Sequence, residues 1–189
     1  MSRSFSRRGF FFRAFSLPVA AAAVSGRAWA DTPSVPKRSA TVPIEAFDAK
    51  GVSQGVAQVK RVVKSDEEWR KQLSRAAYAV TRHDDTERPF SGEYDKNEAD
   101  GVYRCICCDT ALFDSRTKFD SRTGWPSFWQ PISRHNVAEK PDNSFGMART
   151  AVSCRRCDAH LGHVFEDGPR PTGLRYCMNS VALTFVRRA

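Results

Sequence analysis

Residues 103–113, YRCICCDTALF, and residues 152–165, VSCRRCDAHLGHVF, carry the same punctuation. Both align as x-x-Cys-x-x-Cys-Asp-x-x-Leu, a weak internal repeat. A tight turn holding two cysteines three positions apart points two thiolates at one ion, the habit of a zinc knuckle. Two knuckles supply Cys105, Cys108, Cys154 and Cys157 to one closed tetrahedral site for a single structural Zn2+. Redox-active CxxC pairs or two disulfides are the competing readings in an oxidising compartment. The repeat register favours four equivalent ligands. Cys107 falls outside that register and reads as a small side chain at the first knuckle's tip.

The surrounding sequence predicts a mainly β, α+β domain. From Pro89 to Gly146, Gly and Pro recur every few residues, and short β-prone runs lie between them or soon after: GVYRCI, ALFDS, SFWQPI, MARTAVSC and VALTFV. Many short strands separated by turn signals indicate antiparallel sheets. Upstream, Ser65 precedes Glu68 by three residues, a capping box that opens a helix over Ser65 to about Leu73. Trp69, Leu73 and Ala76 lie at helical spacing, and a second short helix is expected from Ser74 to Val80. No long helix is expected after residue 82.

The N-terminus reads differently. Residues 1–30 hold five arginines and no acidic residue, with Arg7-Arg8 before phenylalanines and a run to Ala28-Trp29-Ala30. This resembles a twin-arginine export signal leading to the periplasm, with a mitochondrial transit peptide as the competing reading. The apolar run is too short for a stable membrane anchor. Residues 31–60, rich in Pro, Ser and Thr, read as a poorly ordered linker with one short strand at most, and residues 61–189 as the functional domain. The chain has 30 basic and 21 acidic residues, but without the leader's five arginines the balance is 25 against 21. That modest surplus gives no ground for nucleic-acid binding.

Cys177 stands apart from the other cysteines, and a lone Cys in a β domain is usually a buried hydrophobe. Its neighbours argue otherwise. On a strand, Arg175, Cys177 and Asn179 would share a face, and a cation beside a thiol lowers its pKa. His160 and His163 lie three residues apart upstream. The set suits proton transfer around a nucleophilic thiolate.

The run CRRCDAHLGHVFEDGPRPTGLRYCMNSVALTF, with TERPFSGEY, YRCICCDTALFDSRTKFDS and GWPSF, resembles the B-type methionine-R-sulfoxide reductases. The resemblance implies two antiparallel sheets with short N-terminal helices. It makes Cys177 the nucleophile, with His160, His163 and Asn179 around the sulfoxide oxygen, Arg175 near the thiolate, and Trp125 and Phe165 against the substrate. It implies oxidised proteins bearing methionine-R-sulfoxide as substrates, a thioredoxin-like or small-thiol reductant, and a monomer. One departure stands out. Where many relatives carry a resolving cysteine two residues before Trp-Pro, this chain has Thr123. Arg122 likewise replaces a common glycine. The Cys177 sulfenic acid must then be reduced by an external thiol, or by Cys107 after a rearrangement. The rival readings are a non-catalytic zinc-ribbon binding module and a periplasmic thiol-disulfide protein.

Overall fold

The computed structural model describes residues 39–144 and 148–188; the leader lies outside them. Among the described residues, no helix is long and apolar enough to cross a membrane. The described residues contain eleven strands in three antiparallel sheets. β1 (Thr41–Phe47) and β2 (Ser53–Lys60) make a two-stranded hairpin. β3 (Gly101–Cys105), β4 (Ala111–Asp114) and β11 (Leu183–Arg187) make a three-stranded sheet in the order β11-β3-β4. The third sheet contains β5 (Lys118–Phe119), β6 (Ser127–Phe128), β7 (Val137–Asp142), β8 (Arg149–Cys154), β9 (His160–Phe165) and β10 (Arg175–Met178), in the order β5-β6-β10-β9-β8-β7.

Two expectations need correction. There are three sheets, not two, and residues 41–60 are not a linker. Val42 and Ile44 alternate along β1 and are both buried, the period-two pattern of a half-covered strand. Asn136 locks the hairpin in place: its Oδ1 accepts from Glu45 N at 2.9 Å, and its Nδ2 donates to the Glu45 and Ala111 carbonyls at 2.8 Å each. The anchoring residue lies about ninety positions away, so no local pattern announced it.

The helices form close to where they were expected. α1 (Asp66–Gln72) starts at Ser65, whose hydroxyl accepts from Glu68 N while the Glu68 carboxylate accepts from Ser65 N at 2.7 Å. α2 (Arg75–His83) runs three residues beyond the predicted Val80 and stops where Asp84 turns left-handed at φ 55°. The extra turn lets Arg82 donate to the Cys157 carbonyl at 3.1 Å and stack 4.9 Å over the Trp69 ring. Helix and second knuckle are thereby joined.

The core between the two larger sheets is aromatic. Phe113 stacks on Phe128 at 4.5 Å, Tyr103 meets Phe128 edge-on at 5.0 Å, and Tyr176 closes on Phe113 at 5.9 Å. Each such pair contributes about 0.5–1.5 kcal/mol beyond area burial. Strand alternation then sets the site. Tyr176 and Met178 of β10 point into this core and are buried, so Cys177 faces the opposite side.

Candidate active site

The two knuckles occupy equivalent turns, between β3 and β4 and between β8 and β9. Their hydrogen bonds repeat: Asp109 N donates to Cys105 O at 2.8 Å, and Asp158 N to Cys154 O at 2.9 Å. Asp109 and Asp158 both adopt positive φ, 60° and 57°. The sequence repeat is thus a structural repeat. The four sulfurs lie within 4.8 Å of one another, with Cys105 and Cys157 at 3.6 Å and Cys108 and Cys154 at 3.5 Å. Thiolates placed at about 2.3 Å around a tetrahedral zinc stand ~3.8 Å apart, so the donor set fits that ion. The metal would supply no chemistry to Cys177. It would pin the three-stranded sheet to the six-stranded one. Cys107 is buried beside this cluster, its carbonyl held by Gln72 Nε2 at 2.9 Å.

On the outer face of β10, Cys177 sits opposite His163 on β9 and opposite Ser127 on β6. A pocket of about 130 Å3 opens above the thiol, lined by His163, Trp125, Phe165 and Asn179 among others. Five of the seven expected catalytic and substrate-contacting residues therefore converge. Gly162 makes the convergence feasible. Its φ is +154°, and a Cβ there would fall 2.1 Å from the Cys177 carbonyl oxygen.

The other two expected residues are placed differently. His160 does not line the thiol pocket but an adjoining polar cavity, which shares Thr86, Arg149 and His163 with it. It is 5% exposed, its ring 5.3 Å from that of His163, and its Nε2 has no hydrogen-bond partner among the described residues. Burial pushes its pKa down and favours the neutral imidazole. Arg175 adjoins the Cys177 sulfur without lining the pocket. Its guanidinium is clamped by both Asp167 oxygens at 2.9 Å and lies 4.4 Å from the Phe165 ring centroid.

Two further points depart from expectation. Asn179 lies past the end of β10, and its amide works inward: Nδ2 donates to Leu161 O at 3.0 Å and Oδ1 accepts from Glu87 N at 3.0 Å. The same Glu87 accepts from Trp125 Nε1 through its carbonyl at 3.1 Å, so one backbone residue braces two pocket walls. The thiol's pKa, expected to be low beside Arg175, is pushed up. Burial outweighs the attraction of the guanidinium.

Asp142 and Arg149 were not anticipated. His163 Nε2 lies 2.8 Å from Asp142 Oδ2, and Arg149 Nη2 donates to the same oxygen at 2.9 Å. Hydrogen bonds from Ser144, then that of His163, hold the Asp142 carboxyl well below the usual carboxylate range. Strand β7 is polar and carries Pro141, so it gave no β signal.

A small pocket lined by a thiol, an imidazole oriented by a carboxylate and an indole serves thiol chemistry on one polarised group. It is the site of a thiol oxidoreductase. Residues 73–187 match the SelR domain. The peptide methionine sulfoxide reductase MsrB of Pseudomonas syringae pv. syringae (strain B728a) is 59% identical over 129 residues, covering 68% of this chain and 98% of that one. The protein of the same description from Hahella chejuensis (strain KCTC 2396) is 55% identical over 125 residues, covering 66% and 90%. The chain belongs to the SelR-domain family, the B-type methionine sulfoxide reductases.

Proposed function

We propose that this chain reduces the R epimer of methionine sulfoxide in oxidised proteins through attack of the Cys177 thiolate on the sulfoxide sulfur. The observation that carries the reading is the cross-strand pairing of Cys177 with His163 beneath a pocket walled by Trp125 and Phe165. The sulfoxide oxygen must gain a proton as its bond to sulfur breaks, and His163 is the imidazole lining the pocket. The S-methyl group rests on the indole of Trp125. The protonated oxygen then passes from the substrate sulfur to the Cys177 sulfur as the bond between the two sulfurs breaks, so methionine leaves and Cys177 is left as a sulfenic acid, the reversible first rung of thiol oxidation.

Recycling runs through an external thiol. Thr123, 3.9 Å from the Cys177 sulfur, cannot form a disulfide. Cys107 is buried beside the four-cysteine cluster, so reaching Cys177 would require the first knuckle to open. The external thiol condenses with the sulfenic acid, releasing water and leaving a mixed disulfide that a second thiol reduces. Placement in the periplasm is proposed on the leader sequence alone.

Reduction of the separated R and S epimers by wild type and Cys177→Ser tests the assignment. R-specific turnover lost in the variant is expected. Activity on the S epimer only, or full activity in Cys177→Ser, overturns it.

A further inference from the structure

Cys177 also faces a row of hydroxyls on the side away from His163. Thr123 Oγ1 lies 3.9 Å from Cys177 Sγ, Ser121 Oγ 2.8 Å from Thr123 Oγ1, and Ser127 Oγ 2.7 Å from Ser121 Oγ. Ser127 is fully buried and is the cross-strand partner of Cys177, and its hydroxyl reaches the Trp125 carbonyl at 3.2 Å. The backbone therefore fixes both ends of the row.

A hydroxyl has one proton to give and two lone pairs to receive. A row of three between a sulfur and a carbonyl consequently has two self-consistent polarities. In one, Thr123 donates to Ser121, Ser121 to Ser127, and Ser127 to the Trp125 carbonyl. The sulfur then receives nothing from Thr123 and is free to donate an S–H to it. In the other, every proton swings round: Ser127 donates to Ser121, Ser121 to Thr123, and Thr123 to the sulfur. The first suits a thiol and the second a thiolate.

We propose that Thr123, Ser121 and Ser127 form a reversible hydroxyl relay whose polarity follows the charge on Cys177, with Thr123 donating to the thiolate. Thr123 touches the reacting atom and is a catalytic residue, while Ser121 and Ser127 position it. The row thus gives the position of the missing resolving cysteine a chemical task. In a site where burial disfavours the thiolate, a donor that appears only when charge appears stabilises the reactive form selectively. The other groups around the sulfur lie elsewhere. Arg175 with Asp167 is on its own strand side, and His163 with Asp142 and Arg149 comes from β9, β7 and β8, with His160 beyond His163. Thr123, Ser121 and Ser127 meet one another's hydroxyls and the Trp125 carbonyl, and Ser127 also adjoins the Cys177 sulfur from the neighbouring strand.

The proposal rests on Cys177 being the nucleophile, so its test avoids the sulfoxide. The rate of iodoacetamide alkylation of Cys177, followed by mass on its own peptide, is measured against pH in the zinc-loaded full chain. Thr123→Val is expected to move the profile to higher pH, slowing alkylation at pH ~8 by roughly 3-fold to 10-fold, the worth of a weak hydrogen bond to a charged group. Ser121→Ala should shift it less in the same direction, and Thr123→Ser should restore it. A Thr123→Val profile that overlays wild type with zinc retained overturns the relay, as does a shift that Thr123→Ser fails to reverse. If Thr123→Val does not fold, an unshifted Ser121→Ala profile overturns it. Full sulfoxide reduction by Cys177→Ser would instead remove the parent reading, and the alkylation profiles would still report on the hydroxyls.

Discussion

His163 Nε2 lies 2.8 Å from Asp142 Oδ2, joining strand β9 to strand β7 across β8. The carboxylate stays ionised and accepts the Nε2 proton, which leaves Nδ1 as the nitrogen free for other partners. Asp142→Asn removes the charged acceptor at nearly constant shape. Its kcat is expected to fall by roughly 10-fold to 100-fold, part of what a general acid contributes. Zinc content should not change. Wild-type kcat in this variant would separate Asp142 from the chemistry.

Arg175 and burial oppose each other at Cys177, and burial prevails. Alkylation of the free enzyme should therefore keep rising above pH ~8.5, the ordinary thiol value. Removing the cation by Arg175→Met shifts that profile further upward, because one of the influences favouring the thiolate is lost while burial is unchanged. Arg175→Lys should recover part of the shift, since it restores charge without the two-oxygen clamp on Asp167. A downward shift in Arg175→Met contradicts the assignment.

Gly162 lets β9 and β10 approach closely enough for His163 to stand opposite Cys177. An alanine there adopts a φ of +154° only under strain and drives its Cβ onto the Cys177 carbonyl. Gly162→Ala is expected to lower stability by about 2 kcal/mol or more. It should also reduce kcat more than it changes KM. Denaturant unfolding and steady-state kinetics check the two parts separately.

A metal held by the four-thiol cluster would tie β3 and β4 to β8 and β9, so its loss should loosen both larger sheets. Cys154→Ser is expected to abolish bound zinc and lower Tm by about 10 °C or more, given several kcal/mol lost in a domain of this size. Cys107→Ser should keep one zinc per chain and nearly the wild-type Tm. Equal metal loss in both variants would show that Cys107 is a ligand.

Much of this protein is written locally. The capping box of Ser65 and Glu68 needs four consecutive residues, and it appears as read. The knuckle turns need Cys-x-x-Cys-Asp, and both form with matching hydrogen bonds. The hairpin over residues 41–60 escaped notice because its support is remote. Asn136 satisfies Glu45 from another part of the chain, and β2 is exposed along most of its length, without the alternation that marks a half-buried strand. Strand β7 escaped for a similar reason, since its polar residues and Pro141 suit an edge strand but do not announce one.

The site divides along the same line. The sequence by itself determined the four-cysteine cluster, the lone thiol at Cys177, the family and the threonine at position 123, because these depend on residue identity and short spacing. Only the tertiary structure decided that Asp142 orients His163, that His160 stands back from the thiol pocket, and that Ser121, Thr123 and Ser127 line up behind the sulfur. It also reversed the sign at Cys177. Arg175, two residues away, is visible in sequence, but the burial that outweighs it is created by sheets assembled from distant strands.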